Sequence, residues 1–322
     1  MKPTQSILIL LSLFLIFSCG NNSVEPLVCD EGSSNIDGVC ICDEGYYSNN
    51  GKCYEVECVC DEGSSNIDDV CLCDDGVSCR ICNIETRVQK NIDINKNVGI
   101  FITYGQSNST NQGEIGYSVI NEVFQYYNDS TYLYEDPSLG GTGSGGSVWG
   151  MLGDKLIENE IYDQVIFSMT GWGGKTIGQL SQGEDYEYFI ENYCQLLTKF
   201  GRVDGILFHQ GEANRWLDDQ QYYNEFELFY NKMKNDGICS PFYLSLVSYC
   251  GCNPTDRCGV DSTLLNIQND IIINFENVLR GPNTDLLIEP EYRLSDNCHF
   301  SLLGYQHFSD MFVDCIINKS EL

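Results

Sequence analysis

The chain has 322 residues, of which 42% are hydrophobic and 12% aromatic, enough for one large packed domain and a smaller region beside it. Its formal net charge is −30, from 47 acidic and 17 basic residues. Such a charge repels nucleic acid and anionic membrane surfaces, so it argues against partners of either kind.

Residues 1–18 have the pattern of an export signal. The apolar run that follows Lys2 is too short to span a bilayer. The four residues that end at Cys19 (IFSC) resemble a bacterial lipobox, although a bulky phenylalanine stands two positions before the cysteine. We therefore expect an exported protein, with a tether at 19–28. It is either anchored to a bacterial cell envelope through a lipid on Cys19, or cleaved without lipidation and secreted.

The chain contains 18 cysteines, which on an exported protein predict disulfides rather than metal ligands. Cys19 stands alone, ten cysteines lie at 29–82, and seven lie at 194–315. Because seven is odd, at least one thiol of the last group is free or bridges to the first region.

An internal repeat lies within residues 29–82. The segment from Cys29 to Cys42 (CDEGSSNIDGVCIC) returns almost unchanged from Cys60 to Cys73 (CDEGSSNIDDVCLC). Cys42-Asp-Glu-Gly-Tyr46 resembles a turn of EGF-like modules. Units this short cannot bury a core, so cross-links must replace one. We expect a disulfide-rich spacer; a module that binds sugar or a partner protein is the alternative.

After a polar linker at 83–96, apolar runs alternate with amphipathic stretches. Strands are predicted at 98–104, 164–169, 204–208, 242–248 and 285–288. Helices are predicted around 148–156, 189–197, 264–272 and 300–316. Strands joined by helical crossovers predict a three-layer α/β/α sandwich with a five-stranded parallel sheet, in a domain at 97–322.

A serine follows the first predicted strand. Gly105 permits a tight turn after that strand, and Ser107 comes two residues later. In open α/β sheets, chemistry collects beyond the carboxyl ends of the strands. Ser107 is therefore a candidate nucleophile, and an ordinary turn serine is the alternative.

A serine nucleophile needs a base, and the chain has three histidines: His209, His299 and His307. Asp296 precedes His299 by three residues, so it can fold back to accept the Nδ1 hydrogen and leave Nε2 for a serine. A helix-capping aspartate beside a surface histidine would give the same pattern. His307 falls inside the last predicted helix and is assigned a structural role.

Two more polar clusters follow predicted strands. In the first, Gln210 could donate its amide to an oxyanion, and Glu212 could orient a histidine or bind a substrate hydroxyl. The second, Gly171–Thr176 (GWGGKT), could offer backbone N–H groups to a developing negative charge. It is not a P-loop, because Met169 stands where that motif requires glycine. Ordinary loop chemistry is the alternative for both. Together the clusters supply the parts of an acyl-transfer serine hydrolase.

In this order, Gly105-Gln-Ser-Asn108, Gln210-Gly-Glu212 and Asp296-x-x-His299 resemble the blocks of the sialate O-acetylesterase-like domain, a member of the SGNH (GDSL-like) hydrolases. The segments GSVWG at 146–150 and GGKTI at 173–177 resemble two further blocks. The resemblance covers roughly residues 97–318. It implies the flavodoxin-like sandwich of that superfamily.

The resemblance also implies residue roles. Ser107 would be the nucleophile, His299 the general base, and Asp296 the acid that orients it, with Glu212 as a second candidate for the acid. The oxyanion hole would consist of the Ser107 and Gly174 backbone N–H groups and the Gln210 side chain. No metal or cofactor is implied.

Two departures from the family pattern stand beside these roles. Ser109-Thr110-Asn111 replaces the usual Met-x-Gly after the first block, which could reshape the acyl pocket. Cys298 lies inside the last block and is either disulfide-bonded, which would hold the loop, or a free thiol.

The sequence thus predicts an exported serine esterase that removes O-acetyl groups from a sialate- or xylan-type carbohydrate, with no cofactor. The negative charge favours neutral glycans over sialic acid. The alternatives are a non-catalytic surface protein that binds glycans, and a lipid or thioester esterase of the same fold.

Overall fold

The predicted signal peptide, the predicted lipidation site at Cys19, the predicted tether and the predicted disulfides of the EGF-like repeat lie outside what the structure describes. The computed structural model describes residues 80–81, 84, 86–217, 219–251 and 259–318, together with the backbone of six short strands between Ser33 and Cys73.

The two copies of the repeat form the same antiparallel hairpin. Ser33 lies opposite Cys42 in the first copy, and Ser64 lies opposite Cys73 in the second. The same residues thus adopt the same local pairing twice. The six strands are β1 (Ser33–Ile36), β2 (Val39–Cys42), β3 (Tyr46–Asn49), β4 (Lys52–Glu55), β5 (Ser64–Ile67) and β6 (Val70–Cys73), paired β1–β2, β3–β4 and β5–β6.

The remaining strands form one mixed sheet. They are β7 (Val98–Gly105), β8 (Val123–Tyr127), β9 (Ser130–Leu133), β10 (Gln164–Met169), β11 (Gly205–His209), β12 (Phe242–Leu246) and β13 (Val278–Asn283). Their order across the sheet is β13-β12-β11-β7-β10-β8-β9, and every neighbouring pair is parallel except β8–β9. The prediction of five parallel strands is therefore wrong in number and, at one edge, in direction.

The predicted strand at 285–288 is also wrong. Thr284–Leu286 is a 3₁₀ turn, and Leu286 is exposed. The strand next to β12 is β13, which contains Gly281 and Pro282. A proline removes a ladder donor, so it is tolerated at the edge of a sheet, where β13 lies.

The hairpin of β8 and β9 was not predicted. Its two-residue loop, Asn128–Asp129, has positive φ at both positions, 45° and 55°. Such a loop matches the right-handed twist of the flanking strands, and asparagine and aspartate tolerate it well. A local turn signal was therefore present between two short aromatic runs.

Helices cover both faces of the sheet. The helices of the described chain are α1 (Trp149–Glu158), α2 (Ile177–Leu180), α3 (Gly183–Phe200), α4 (Asp219–Asn235), α5 (Ser262–Asn274) and α6 (Leu302–Ile317). Successive side chains of β7 point to opposite faces, so that Ile100 and Ile102 pack under α2–α5, whereas Phe101 packs under α1 and α6. None of these helices combines the length and apolarity that crossing a membrane requires.

Residues 88–90 of the predicted linker lie along the outer edge of β9. The Lys90 N–H donates to the Thr131 carbonyl at 2.9 Å, and the Leu133 N–H donates to the Val88 carbonyl at 2.8 Å. These bonds pair backbone N–H and C=O groups that an edge strand would otherwise leave without a partner. This stretch of the linker is thus held against the domain.

The ends of β7 and β11 meet closely at Gly105. This residue has φ +135°, and a Cβ at its position would lie 2.1 Å from the carbonyl oxygen of His209. The same carbonyl accepts a hydrogen bond from the Gln106 N–H at 3.0 Å. Only glycine permits this backbone conformation and this approach together.

We expect Gly105→Ala to lower the free energy of unfolding by more than about 3 kcal/mol, because a clash with backbone adds to the cost of the positive φ. Urea unfolding measures the change. Gly237→Ala is the matched control, since Gly237 also has positive φ (+84°) but no atom lies within 4 Å of a Cβ there. The control should cost about 1 kcal/mol. Equal losses in the two variants would contradict the contact.

Candidate active site

Gln106 joins the segment after β7 to the loop after β11. Its Oε1 accepts hydrogen bonds from the Ala213 N–H at 2.9 Å, the Gln210 Nε2 at 3.3 Å and the Gly211 N–H at 3.4 Å. Gln106 is itself buried. Its side chain therefore holds the Gln-Gly-Glu loop against the chain that carries Ser107.

Asn108 joins the same segment to the loop that carries His299. Its Nδ2 donates to Oε1 of Glu212 at 2.9 Å and to the carbonyl oxygen of Cys298 at 3.2 Å. Ser107 precedes Asn108, and His299 follows Cys298. The structure therefore brings the nucleophile and base candidates to the same edge of the sheet.

His299 is paired with Asp296. Its Nδ1 lies 2.6 Å from Oδ2 of Asp296, whose Oδ1 accepts the backbone N–H groups of His299 and Cys298. Partial burial works to raise the pKa of Asp296, but the hydrogen bonds from Cys298 and His299 outweigh it and lower that pKa. The carboxylate thus stays ionised and holds Nδ1 as a donor, which leaves Nε2 as the nitrogen that can take a proton.

Glu212 is paired with a different histidine. Its Oε1 lies 3.0 Å from Nε2 of His209, and both side chains are buried. Burial opposes ionisation of Glu212, but His209 and the hydrogen bond from Asn108 hold its pKa below the usual value. The structure therefore does not place Glu212 on Nδ1 of His299; it connects Glu212 to the His299 loop through Asn108.

The glycine loop after β10 lies beside Ser107. A Cβ at Gly173 would be 3.9 Å from the Cβ of Ser107. The Trp172 N–H donates to the Gly105 carbonyl at 2.9 Å, and the Gly173 N–H donates to the Thr142 hydroxyl at 2.9 Å. The next residue, Gly174, is exposed with φ +72°. Gly174, the candidate oxyanion donor, thus directly follows the residue that lies beside Ser107.

Gln210 is placed less favourably for that role. Its side chain is fully buried, and its Nε2 donates to Oδ1 of Asn214 at 2.6 Å and to the Lys175 carbonyl at 3.3 Å. Its amide hydrogens are directed at protein acceptors, so a bond to an oxyanion would require the side chain to turn.

His307 lies in α6 with its ring against Tyr292.

Arg293 belongs to the site and was not predicted. It is buried, and its Nη1 donates to the Cys298 carbonyl at 2.5 Å, beside the bond from Asn108. Its Nε donates to the Leu287 carbonyl at 2.7 Å, and its Nη2 to the Thr284 carbonyl at 3.0 Å. Burial lowers the pKa of Arg293 to about 10, so it remains cationic at neutral pH. An arginine three residues before Asp296 carries no motif signal.

Cys298 is disulfide-bonded to Cys250, which resolves the alternative left open by the sequence. The bond joins the loop after β12 to the residue that precedes His299. Cys194, in contrast, is an exposed free thiol. The histidine loop is thus held by a covalent bond as well as by hydrogen bonds to its backbone.

The departure at Ser109-Thr110-Asn111 replaces apolar and small residues by a buried polar network. The Ser109 hydroxyl donates to the Gln106 carbonyl at 2.7 Å, and the Thr110 hydroxyl donates to the Ser107 carbonyl at 2.9 Å. Asn111 exchanges two hydrogen bonds with the backbone of Ser138. These side chains stabilise the turn that presents Ser107.

Residues 150–317 match a family described as carbohydrate esterase, sialic acid-specific acetylesterase. The matched range contains the Gln210 and His299 blocks, whereas Ser107 lies before it. Among curated protein sequences, none matches the chain.

Within the described residues, no three His, Cys, Asp or Glu side chains are grouped as a metal ion would require.

The chain is similar to several solved structures. A protein from Arabidopsis thaliana has a TM-score of 0.55 and 16% identity, over 69% of this chain and 98% of its own. An esterase from a Pseudoalteromonas species has a TM-score of 0.44 and 12% identity, over 70% of this chain and 100% of its own. A carbohydrate acetylesterase from Xanthomonas citri has a TM-score of 0.45 and 13% identity, over 67% of this chain and 54% of its own. The likeness to the Arabidopsis protein supports the fold alone.

We expect Asp296→Asn to lower kcat for ester hydrolysis by about 10²- to 10⁴-fold with little change in KM, because an amide cannot hold the required His299 tautomer. Steady-state kinetics on an acetyl ester measure this loss. Glu212→Gln should lower kcat by less than about tenfold and mainly reduce the melting temperature, since its carboxylate serves His209 and Asn108. The reverse order would assign the acid role to Glu212.

We expect the double variant Cys250→Ser/Cys298→Ser to lose about 2–4 kcal/mol of unfolding free energy, because the closed loop is released. Its kcat should fall as well, since the His299 loop loses its covalent tie. Thermal unfolding and kinetics are measured together. Cys194→Ser, which removes an exposed free thiol, should change neither quantity. A double variant with unaltered kcat would mean that the hydrogen bonds alone hold the loop.

Proposed function

Because the chain belongs to the sialic acid-specific acetylesterase family of carbohydrate esterases, and is a carboxylic ester hydrolase, we propose that it removes O-acetyl groups from a carbohydrate with Ser107, His299 and Asp296 as its catalytic triad. Membership rests on a family match that spans more than half of the chain. It agrees with the ordered motif blocks of the sequence.

The observation that carries the proposal is the pairing of Asp296 with His299 in a loop that Asn108 bonds to the segment of Ser107. This arrangement provides a base whose Nδ1 is held by Asp296, in a loop bonded to the segment that carries the Ser107 hydroxyl at the carboxyl end of a central strand. It is the set of groups that acyl transfer by a serine needs.

In the proposed reaction, the Ser107 Oγ attacks the acetyl carbonyl and its proton passes to Nε2 of His299. The protonated histidine then gives this proton to the sugar oxygen as the ester bond breaks, which leaves an acetyl-serine. Water then attacks the acetyl group and gives a proton to Nε2 of His299. His299 returns this proton to the Ser107 Oγ as the acetyl–serine bond breaks, and acetate leaves. Asp296 stabilises the imidazolium in both steps.

The negative charge of the tetrahedral intermediate would be bound by the Ser107 and Gly174 N–H groups. Each such donor contributes about 3–4 kcal/mol to lowering the barrier. Gln210 remains a candidate third donor, on condition that it exchanges its bond to Asn214 or Lys175 for one to the oxyanion.

The proposed substrate is an acetylated glycan outside the cytoplasm. The description of the family supports a carbohydrate ester. The net charge of −30 favours a neutral glycan of the xylan type over sialic acid. The export signal supports action at a bacterial cell envelope, through a lipid on Cys19, or after secretion.

The test is acetate release by the unmutated protein and by Ser107→Ala, on acetylated xylo-oligosaccharides and on O-acetylated sialic acid. We expect Ser107→Ala to lower kcat by about 10⁴- to 10⁶-fold, because the nucleophile is lost. Ser144→Ala, a change at an exposed serine of a neighbouring loop, is the control and should keep full activity.

Labelling supplies a second readout. An alkyl fluorophosphonate should modify the unmutated protein at Ser107, seen as a mass shift of the peptide that contains it, and should not modify Ser107→Ala. Substantial turnover by Ser107→Ala would remove this residue from the mechanism. No acetate release from any acetyl ester by the unmutated protein would overturn the esterase proposal and favour glycan binding alone.

A further inference from the structure

Arg80 enters the esterase domain from the segment that precedes it. Its Nη1 donates to the carbonyl oxygens of Gly140 at 3.0 Å, Thr170 at 3.0 Å and Gly171 at 3.1 Å. Its Nη2 lies 3.2 Å from Oδ1 of Asp185. The side chain is largely buried, so these contacts are made away from bulk water.

Two aromatic rings complete the environment of this guanidinium. Its central carbon lies 4.0 Å from the ring centroid of Tyr188 and 4.8 Å from that of Trp172. A planar guanidinium between aromatic rings gains cation–π attraction and loses little freedom by bonding several acceptors at once. Lysine offers neither the plane nor the fork of donors.

Two acceptors of Arg80, the carbonyl oxygens of Thr170 and Gly171, lie at the start of the glycine loop beside Ser107. Thr170 and Gly171 connect β10 to Gly173 and Gly174. The N–H groups of this loop bond inward, Trp172 to the Gly105 carbonyl and Gly173 to Thr142. Its carbonyl groups at 170 and 171 face Arg80. The loop is therefore held from two sides.

The backbone next to Arg80 supports the same loop by a second route. The Ile81 N–H donates to the Gly141 carbonyl at 2.9 Å, and the Gly140 N–H donates to the Ile81 carbonyl at 2.7 Å. These bonds hold the stretch that carries Thr142, whose hydroxyl accepts from Gly173. The segment at 80–81 thus contacts both the glycine loop and the loop that supports it.

We propose that Arg80 is a positioning residue for the esterase reaction: it holds the glycine loop 171–174 in the place from which Gly174 donates to the oxyanion. The segment at 80–81, which precedes the domain, then supports the active site and is not only a spacer. This inference rests on the proposed function. It assigns Arg80 no contact with the substrate.

The chain offers a matched control in Arg87. This arginine lies on the same preceding segment and donates to the carbonyl oxygens of Glu135 at 2.9 Å and Pro137 at 2.5 Å. Its acceptors belong to the loop at 135–137 and not to the glycine loop. Arg80→Ala and Arg87→Ala therefore remove the same kind of anchor at two places.

The experiment compares Arg80→Ala, Arg80→Lys and Arg87→Ala in the full chain. Arg80→Ala should lower kcat by about 10- to 100-fold with KM changed less than about twofold, because a displaced oxyanion donor acts on the transition state. A boronic acid that forms a tetrahedral adduct with Ser107 should bind more weakly by a similar factor. Arg80→Lys should recover only a part of kcat, and Arg87→Ala should keep kcat within twofold.

Hydrogen exchange of the peptide that contains residues 171–174 gives a readout that does not need turnover. Exchange there should be faster in Arg80→Ala than in the unmutated protein or Arg87→Ala, all below their melting temperatures. If Arg80→Ala keeps its kcat, or if kcat falls equally in Arg87→Ala, the inference is overturned while the esterase proposal stands. An unmutated protein without esterase activity overturns both, whatever the exchange rates.

Discussion

The close contact between the ends of β7 and β11 is the constraint on which the rest of the site depends. Gly105 allows the Gln106 N–H to reach the His209 carbonyl, and this sets where the chain leaves the sheet. The two side chains that flank Ser107 then have defined partners. Gln106 holds the loop after β11, and Asn108 holds both Glu212 and the Cys298 carbonyl. Through these bonds, one tetrapeptide joins two loops that are far apart in the chain.

Buried arginines stabilise the loops on both sides of Ser107 through backbone carbonyls. Arg293 bonds Cys298 beside His299, and Arg80 bonds Thr170 and Gly171 beside Gly174. A guanidinium has five donors in a rigid plane, so a single side chain can satisfy several carbonyl groups that a loop leaves unpaired. Burying the cation costs desolvation energy, and the carbonyl bonds offset that cost. Such an anchor tolerates little displacement, which is the property that a preorganised oxyanion site requires.

The parts of the fold and site that the sequence predicted have local signals. The strand before Gly105 follows from a short apolar run, and the helix α3 follows from apolar residues spaced along one face. The pairing of Asp296 with His299 follows from a spacing of three residues. The last strand was predicted at 285–288 and not at β13. Gly281 and Pro282 are uncommon inside strands, whereas the residues at 286–288 are apolar and resemble a strand sequence. Arg80 and Arg293 were missed because their acceptors are backbone carbonyls, which no residue pattern reveals.

The family, the α/β class and the pair Asp296–His299 follow from the sequence, because each depends on residues that are near in the chain or on motifs in a fixed order. The sequence left open which carboxylate serves which histidine. The folded chain shows that Glu212 binds His209, that Gln210 donates to protein acceptors, and that Cys298 is bonded to Cys250. These outcomes depend on where side chains meet across strands β7, β11 and β12, and such distances arise from the packing of the sheet and not from spacing along the chain.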